Sequence, residues 1–347
     1  MVKTYLGVDG GGTKTEFMLI DESGTILARH QEGSAYYLEI GLDGLRVMLA
    51  RGIGTILESA SLPAASLSFA FFGLPAYGED SQLAALLNTV PSPTLEPDRY
   101  QCGNDMVCGW AGALACHDGI NIVAGTGSIA YGELAGRQAR AGGWGELFSD
   151  EGSAHWIARE GLSLFSRMSD GRTPKGPLLD LFRAHFNLAS DLDICAAIYG
   201  SNAASRRNIA QLAAVIAAAA RNGDAQARAL FTSGAKELVA IVDATRAQLR
   251  APAELRLPVS YSGGMFKLTD LVLEPFLSAL HSSAHSYNCL SPRLPPAAGA
   301  ALYAARTLGS PLTESAIAAI KQQLQESVGP GAAVAPVAGA ASSPTGS

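Results

Sequence analysis

The sequence predicts an α/β protein with two domains, on three observations. The chain has 347 residues, of which 48% are hydrophobic and 16% charged, which is enough apolar material for two separate cores. A glycine-rich turn joins two apolar segments at residues 5–20, and the same pattern returns at residues 119–132. Segments of strand length alternate with segments of helical periodicity, in the order β-β-β-α-β-α from residue 5 to residue 115.

A glycine-rich hairpin opens the chain. An apolar run enters it, the alternating Phe17, Leu19 and Ile20 leave it, and its tip is polar, which is typical of strand, tight turn and strand. Glycine tolerates positive φ and leaves main-chain N–H groups open to an anion. The turn is therefore a candidate phosphate site formed by Gly10, Gly11, Gly12, Thr13, Lys14 and Thr15. An ordinary glycine-rich turn explains the same residues. Neither a Walker loop nor a dinucleotide fingerprint fits, because no helix follows the turn.

The remaining elements of the first half alternate between strands and helices. We predict strands over residues 25–28, 66–72 and 99–103. We predict helices over residues 41–60, 81–88 and 106–115. Loops at 33–37 and 73–80 and a proline-rich linker at 91–97 join these elements. The last strand delivers Asn104 and Asp105 directly before a helix.

The second half repeats the hairpin and then becomes helical. Strands at 119–124 and 129–132 flank a turn formed by Gly125, Thr126, Gly127 and Ser128. Residues 142–158 are a polar turn running into a helix, with Asp150 as a candidate N-cap. Helices are predicted most clearly over 205–220, 225–249, 268–279 and 297–307. A strand at 257–261 feeds a third glycine turn with Gly263, Gly264 and Lys267.

The end of the chain divides into a helix and a tail. An amphipathic helix is predicted to start at Ser310-Pro311, with Ile317, Ile320 and Leu324 on one face. We expect these Leu and Ile side chains to be exposed, which leaves room for a homodimer. Residues 328–347 are rich in Ala, Gly, Pro and Ser, and we expect a disordered tail.

Composition narrows the class of partner. The 25 basic and 31 acidic residues give a net charge of −6 without any basic tract, which argues against nucleic acid and anionic membranes and favours small molecules. No apolar stretch approaches the roughly 18 residues of a membrane span, and a strand starts by about residue 4, so we expect a cytoplasmic protein. The five cysteines lack paired C-x-x-C spacing and are expected to be reduced, mostly buried thiols.

Two β-β-β-α-β-α units with a glycine hairpin in each, and a glycine turn near the end, resemble the superfamily of sugar kinases, actin and heat-shock ATPases. Within it, three segments look like the BadF/BadG/BcrA/BcrD-type ATPase family, specifically its N-acetylglucosamine kinase branch: residues 10–16, residues 125–128, and Gly143-Trp144-Gly145 followed by residues 150–154. The resemblance covers roughly residues 3 to 308. It implies two ribonuclease H-like (actin/hexokinase-type) domains with mixed five-stranded sheets and an ATP cleft between them. The N-terminal domain would comprise residues 1–117 plus 297–327, and the C-terminal domain residues 118–296.

The resemblance also implies roles in ATP chemistry. The two hairpins would grip the nucleotide phosphates, and the third turn would hold adenosine. Asp105 would be the catalytic base, although its position fits a helix N-cap equally well. Asp9 would hold hydrated Mg²⁺, which takes few carboxylates plus water and phosphate; a structural Asp turn is the alternative.

The implied reaction is ATP-dependent phosphorylation of an amino sugar, most directly N-acetylglucosamine at its 6-hydroxyl. The residues expected to contact sugar are Asn104, Asp105, Thr126, Trp144, Gly145, Asp150, Tyr36 and Glu79. Trp144 and Asp150 could instead be a buried aromatic residue and a cap, and Glu79, like Glu39, a solvated loop acid. The sequence departs from the family where the animal members carry an asparagine in place of Tyr36, and where residues 75–78 replace a Ser-Gly-Gly segment.

Other functions fit the same resemblance. Glu79 could pair with the amine of glucosamine, and N-acetylmuramic acid is a further candidate substrate. Other family members are ATPases that activate a dehydratase or reductase through a bridging iron–sulfur cluster, for which the scattered cysteines offer no clear ligand set. A non-catalytic sugar sensor is the last alternative. His281 and His285 have i, i+4 spacing and could bind a metal, but without a third ligand nearby we expect a surface pair.

Overall fold

The computed structural model describes residues 2–200 and 205–327. It contains ten strands in this part of the chain: β1 Thr4–Gly10, β2 Thr15–Asp21, β3 Ile26–Glu32, β4 Phe69–Leu74, β5 Tyr100–Asn104, β6 Gly119–Ala124, β7 Ser128–Leu134, β8 Arg137–Gly142, β9 Leu257–Ser262 and β10 Tyr287–Leu290. The predicted tail at 328–347 lies outside the described residues.

Twelve α-helices connect and cover these strands in the same part of the chain. They are α1 Tyr37–Ser59, α2 Ala84–Leu87, α3 Met106–Leu114, α4 Ala154–Ser169, α5 Pro177–Phe186, α6 Asp193–Tyr199, α7 Arg206–Gln211, α8 Ala213–Arg221, α9 Ala225–Leu249, α10 Glu274–His281, α11 Pro296–Thr307 and α12 Glu314–Ser327. No helix among the described residues is long and apolar enough to cross a membrane.

The strands form two five-stranded mixed sheets, ordered β3-β2-β1-β4-β5 and β10-β9-β6-β7-β8. In each sheet the early strands form an antiparallel meander. In parallel, β4 pairs with β1 and β9 pairs with β6, and the edge strands β5 and β10 then pair with β4 and β9. Parallel strands bring their carboxyl ends to one edge, and open α/β sheets bind ligands there. The topology therefore points to the ends of β1, β4 and β5 in the first sheet, and of β6 and β9 in the second.

Each sheet buries its apolar face against helices. Leu6 and Val8 of β1 pack towards α1, while Tyr5 packs towards α3 and α11 on the opposite face, as the two-residue period of a strand requires. The second sheet packs against α4, α8 and α9 in one continuous core. Because both faces of the first sheet are covered by helices, its functional groups are confined to the strand ends.

The predicted α/β class with two mixed five-stranded sheets is confirmed. The helix predicted over residues 81–88 is reduced to the single turn of α2. The last helix begins at Glu314, four residues after Ser310. Strands β8 and β10 were not anticipated, because β8 alternates arginine and glutamine with small alanines and β10 is only four residues long.

The apolar face of α12 is buried within its own chain. Ile317 and Ile320 are 4% and 0% exposed, and Leu324 packs against the same cluster beside the first sheet. The expectation that these side chains are exposed is wrong, since the amphipathic pattern of α12 is satisfied by the core of the first sheet. The homodimer suggested on that basis therefore loses its support.

A buried ion pair joins the second sheet to a helix of the first. Glu133 on β7 is 2% exposed and pairs with Arg306 on α11. The carboxylate also accepts a hydrogen bond from Tyr131 Oη at 2.8 Å. Arg306 donates to the Cys116 carbonyl at 3.1 Å and lies 5.1 Å from the ring centroid of Trp110. This cluster fixes how β7 sits against α3 and α11.

Glu133→Ala is expected to lower the free energy of unfolding by about 3 kcal/mol, because it leaves the partly buried Arg306 guanidinium and the buried Tyr131 hydroxyl without their carboxylate acceptor. Urea unfolding followed by circular dichroism measures the loss. Glu314→Ala is the matched control: it removes an exposed partner of Arg293 and is expected to lose less than about 1 kcal/mol. Equal losses of unfolding free energy in the two variants would show that the burial of Glu133 does not make its ion pair with Arg306 more stabilising than an exposed pair.

Candidate active site

A cavity of about 520 Å³ opens where the strand ends of both sheets meet. Both glycine hairpins, the loops after β3 and β4, and the segment after β8 contribute to it. The predicted site residues that line it are Gly12, Thr13, Tyr36, Glu79, Asn104, Asp105, Thr126, Gly127, Ser128, Trp144, Gly145 and Asp150. Residues far apart in sequence are thus brought to one place by the two sheets.

The other predicted residues of the two hairpin turns are not among those that line the cavity. They are Gly10, Gly11, Lys14, Thr15 and Gly125. Thr15 is fully buried, and its hydroxyl donates to the Gly33 carbonyl at 2.8 Å, so it supports the shape of the turn. The Lys14 ammonium forms an ion pair with Glu16. In this structure neither side chain points an unpaired polar group at the cavity.

Asp105 and Asp9 lie together at the edge of the first sheet. Asp9 is opposite Gly73 in the parallel pairing of β1 and β4, and Asp105 directly follows β5, the next strand. A Cβ on Gly73 would lie 2.2 Å from Cys108 Sγ and 3.1 Å from the Cα of Asp105. Glycine at position 73 therefore lets the start of α3, and with it Asp105, approach the sheet.

Asp105 occupies the N-cap position of α3 but makes no capping hydrogen bond through its side chain. The neighbouring Asn104 takes that role, since its Oδ1 accepts from the Met106 N–H at 3.1 Å. Its Nδ2 donates to the Tyr77 carbonyl at 3.0 Å. Asn104 thereby ties the loop after β4 to α3 and leaves the Asp105 carboxyl group to the cavity.

Both carboxyl groups have raised pKa values, and burial is the main cause. Burial raises the pKa of Asp105 to about 6, and the negative charge of Glu79 adds to the rise. Burial raises the pKa of Asp9 to about 8, with further contributions from the charges of Asp105 and Glu16. A carboxyl group that titrates near neutrality suits proton transfer. A second, enclosed carboxylate beside it would be stabilised by a cation.

The segment after β8 turns sharply through three glycines with positive φ, at Gly142, Gly143 and Gly145. The turn places Trp144 at the cavity edge, where its side chain is 70% exposed. The guanidinium of Arg140 lies 5.7 Å from the centroid of that ring. The alternative of a buried tryptophan is therefore wrong, and Trp144 offers an open aromatic face to a ligand.

The sequence predicts Asp150 as the N-cap of α4, and this prediction is wrong. Ser153 takes that position, and its side chain accepts from the Trp156 N–H. Asp150 has a φ of 62° and a buried side chain. Its Oδ1 accepts from the Ser128 N–H at 3.3 Å. The left-handed backbone turns this carboxylate away from the helix and towards the second glycine turn.

The second glycine turn is joined closely to the start of α4. Ser128 Oγ donates to the Glu151 carbonyl at 2.7 Å, and the Ala154 N–H donates to the Gly125 carbonyl at 2.9 Å. These bonds hold the turn and the segment carrying Asp150 as one unit. The hydroxyl of Ser128, counted among the predicted ligand groups, is used within this unit.

Three charged residues of the lining were not predicted: Glu146, Arg206 and Arg207. Arg206 Nη2 donates to Asp150 Oδ2 at 2.6 Å, and its Nε lies 3.4 Å from Glu146 Oε2. Arg207 is hydrogen-bonded to the first glycine turn. Both arginines begin α7, whose alanine-rich surroundings gave no local signal of a site. Only the packing of α7 against α4 brings them to the cavity.

The third glycine turn forms a separate cavity of about 450 Å³ lined by Gly263 and Lys267, among others. A Cβ on Gly263 would lie 2.3 Å from the Ala124 carbonyl oxygen. Because β6 and β9 are parallel neighbours, this turn lies beside the second hairpin turn. Gly264 begins the 3₁₀ turn that follows.

The remaining candidate groups are accounted for in the described part of the chain. His281 ends α10 and His285 lies beyond it, and no group of three or more metal-ligating side chains among the described residues could hold a metal. The five cysteines are free thiols; Cys102 and Cys108 are buried and Cys195 is exposed.

The sequence profile of one family matches most of the chain. The profile is that of the BadF/BadG/BcrA/BcrD ATPase family, and the match spans residues 6–304. The chain belongs to this family. The resemblance seen in three short segments is therefore confirmed, and the match includes both hairpin turns, Asp105 and the start of α7.

Proteins similar to this family member include two curated kinases and one solved structure. An N-acetyl-D-glucosamine kinase of Dictyostelium discoideum is 24% identical over 86% of this chain and 97% of its own. An N-acetylmuramic acid/N-acetylglucosamine kinase of Clostridium acetobutylicum is 24% identical over 87% of this chain and 98% of its own. A structural-genomics target from Chromobacterium violaceum, assigned as an N-acetylglucosamine kinase, has a TM-score of 0.69 and 26% identity, over 87% of this chain and 98% of its own.

Proposed function

We propose that this chain is an ATP-dependent carbohydrate kinase that phosphorylates an amino sugar, with N-acetylglucosamine as substrate and its 6-hydroxyl as acceptor. The observation that carries the proposal is Asp105, a carboxyl group with a pKa of about 6 that lines the same cavity as the two glycine turns. Membership of an ATPase family supports ATP as the phosphoryl donor. The names of the two curated relatives support the class of sugar.

In this mechanism Asp105 accepts the proton of the sugar hydroxyl as that oxygen attacks the γ-phosphorus of ATP. The bond from the γ-phosphorus to the β–γ bridging oxygen breaks, and ADP leaves. The N–H groups of the two hairpin turns, including those of Gly12 and Gly127, would donate hydrogen bonds to the phosphates. Closure of the cleft would exclude water and limit hydrolysis of ATP.

Asp9 is the residue that would hold Mg²⁺. Its carboxyl group is enclosed, and its pKa is raised to about 8 by burial and by neighbouring negative charge. A hydrated Mg²⁺ bound through one carboxylate and the phosphates would relieve that unfavourable ionisation, so the donor set fits the ion. When bound, the ion would neutralise charge on the phosphate oxygens.

Each side of the cavity would bind one part of the substrates. The sugar would contact Trp144, through its exposed ring, and Asp150, through hydrogen bonds from hydroxyl groups. Adenosine would occupy the cavity at Gly263 and Lys267. On this view the chain divides into residues 1–117 with 297–327, and residues 118–296, and the cleft between them binds ATP.

The acidic groups near Tyr36 bear on the choice among amino sugars. Burial raises the pKa of Tyr36, and the charges of Glu79, Glu146 and Glu39 add to the rise against the opposing charge of Arg206. The three carboxylates line the same cavity as Tyr36. A free amine would be attracted to them, whereas an N-acetyl group would use Tyr36 as a hydrogen-bond partner. Glucosamine is therefore the principal competing substrate.

An ADP-release assay with glucosamine, N-acetylglucosamine, N-acetylmuramic acid, N-acetylmannosamine and glucose tests the proposal. We expect kcat/KM for N-acetylglucosamine to exceed that for glucose by at least about tenfold, because glucose leaves the polar groups for the 2-substituent unpaired. ³¹P NMR of the product locates the new phosphate. ADP release that is independent of every sugar would instead favour an energy-coupling ATPase.

A further inference from the structure

Two consecutive arginines of α7 have different partners. Arg206 pairs with the buried carboxylate of Asp150, at 2.6 Å. Arg207 Nη2 donates to the Gly12 carbonyl at 3.0 Å and to Thr13 Oγ1 at 2.9 Å. Within the described residues, Arg207 forms no ion pair. Its charge therefore lies on the tip of the first hairpin turn without a compensating carboxylate.

Acidic side chains outnumber basic ones in the lining of the cavity, so each cation there bears on how an anionic ligand could bind. Five carboxylates line the cavity, at Glu39, Glu79, Asp105, Glu146 and Asp150, against the two guanidinium groups of α7. The triphosphate of ATP is itself strongly anionic, so an acidic cavity would repel it unless a cation were available. Arg206 is already engaged by Asp150, and the Lys14 ammonium is engaged by Glu16. Among the described residues of the lining, Arg207 is the cation left to meet the phosphates.

Arg207 also connects the two sides of the cavity. It belongs to α7, which packs against α4 beside the second sheet, yet both of its hydrogen bonds are to the turn between β1 and β2 of the first sheet. Those two acceptors are uncharged oxygens. A phosphate group carries negative charge and can accept two parallel hydrogen bonds from a guanidinium, so it binds Arg207 more strongly than they do. A phosphate group that binds at the turn can therefore replace the two acceptors of Arg207 without breaking an ion pair.

Resting on the proposed function, we propose that Arg207 binds the transferred phosphoryl group across the cleft and stabilises its charge during transfer. While the sugar oxygen bonds to the γ-phosphorus and the bridging oxygen departs with ADP, negative charge spreads over the equatorial and leaving oxygens. The planar fork of a guanidinium suits those oxygens better than an ammonium does. Arg207 is thus assigned a catalytic role and Arg206 a positioning role on Asp150.

The test compares Arg207→Ala and Arg207→Lys with the matched control Arg172→Ala, which removes an exposed arginine paired with Asp170. We expect Arg207→Ala to lower kcat by about 10²-fold or more, with KM for the sugar and Kd for ADP within about threefold of the parent. Arg207→Lys should keep part of the rate, because it retains the charge without the fork. Added guanidinium chloride at low concentration should raise turnover of Arg207→Ala alone. Melting temperatures verify that each variant is folded.

A second readout is independent of the sugar. Affinity for ADP with aluminium fluoride, which mimics the transferred phosphoryl group, should fall by about 10²-fold in Arg207→Ala while affinity for ADP alone is kept. Equal affinities of parent and variant for the aluminium fluoride complex would overturn the assignment. A parallel loss of ADP and complex binding would also overturn it, since it would identify a structural clamp. If the parent released ADP at the same rate with and without every sugar, and binding of the aluminium fluoride complex still required Arg207, the proposed sugar phosphorylation would fail while the role of Arg207 on the transferred phosphoryl group would stand.

Discussion

Asp105→Asn is expected to lower kcat for sugar phosphorylation by about 10³-fold while leaving the Kd for ATP within about threefold of the parent. The amide keeps the shape of the side chain but cannot take the proton of the attacking hydroxyl. The neighbouring Asn104 already makes the capping bond of α3, so the exchange leaves the start of that helix intact. Steady-state ADP release and ATP titration by calorimetry measure the two quantities.

The pH dependence of kcat/KM is a second test of the role of Asp105. A base must be deprotonated, and burial raises the pKa of Asp105 to about 6. For the parent, kcat/KM should therefore rise about tenfold per pH unit below pH 6 and level off above it. Asp43→Asn is the control, since that side chain is 95% exposed, and it should alter neither rate nor profile. Near-normal turnover of Asp105→Asn would remove Asp105 from the mechanism.

Asp9→Asn is expected to change stability and activity in opposite directions. The pKa of Asp9 in the folded chain is about 8, above the ordinary value of 3.8 for an aspartic acid side chain. Between these two pH values the folded chain therefore holds a proton that the unfolded chain has released. Stability of the ligand-free protein should accordingly fall as pH rises from about 4 to about 8. At pH 7 the asparagine variant avoids a penalty of up to about 4 kcal/mol.

Thermal unfolding without nucleotide measures the first effect, and Asp9→Asn should melt several degrees above the parent at pH 7. Its Mg²⁺-dependent activity should be lost, because the amide cannot replace a carboxylate as ligand. Asp43→Asn again serves as the control and should leave the melting temperature unchanged. A melting temperature of Asp9→Asn below that of the parent would indicate that the Asp9 carboxylate stabilises the fold in its ionised form.

Sequence patterns predicted those parts of the site that are encoded locally. Asp9 lies at the end of an apolar strand and Asp105 directly follows another, which marked both as candidates, and the resemblance to the family implied their roles. Arg206 and Arg207 could not be placed, because their contacts with Asp150 and Thr13 depend on how α7 packs. The true cap of α4 was missed for a related reason. Asp150 and Ser153 are both good capping residues, and only the left-handed backbone of Asp150 decides between them.

The bonds that join the second glycine turn to the start of α4 bear on how substrate preference can change during evolution. Since Ser128 and Gly125 are bonded to Glu151 and Ala154, a substitution on the Trp144–Asp150 segment would also disturb the phosphate turn, and the effects would be coupled. The loop after β4 has no such hydrogen bonds to either hairpin turn among the described residues, and its Tyr77 is instead hydrogen-bonded to Asn104 and Asn88. New sugar specificities should therefore arise by substitutions within residues 75–80, because these can change the contacts with the sugar without disturbing the turns proposed to bind phosphate.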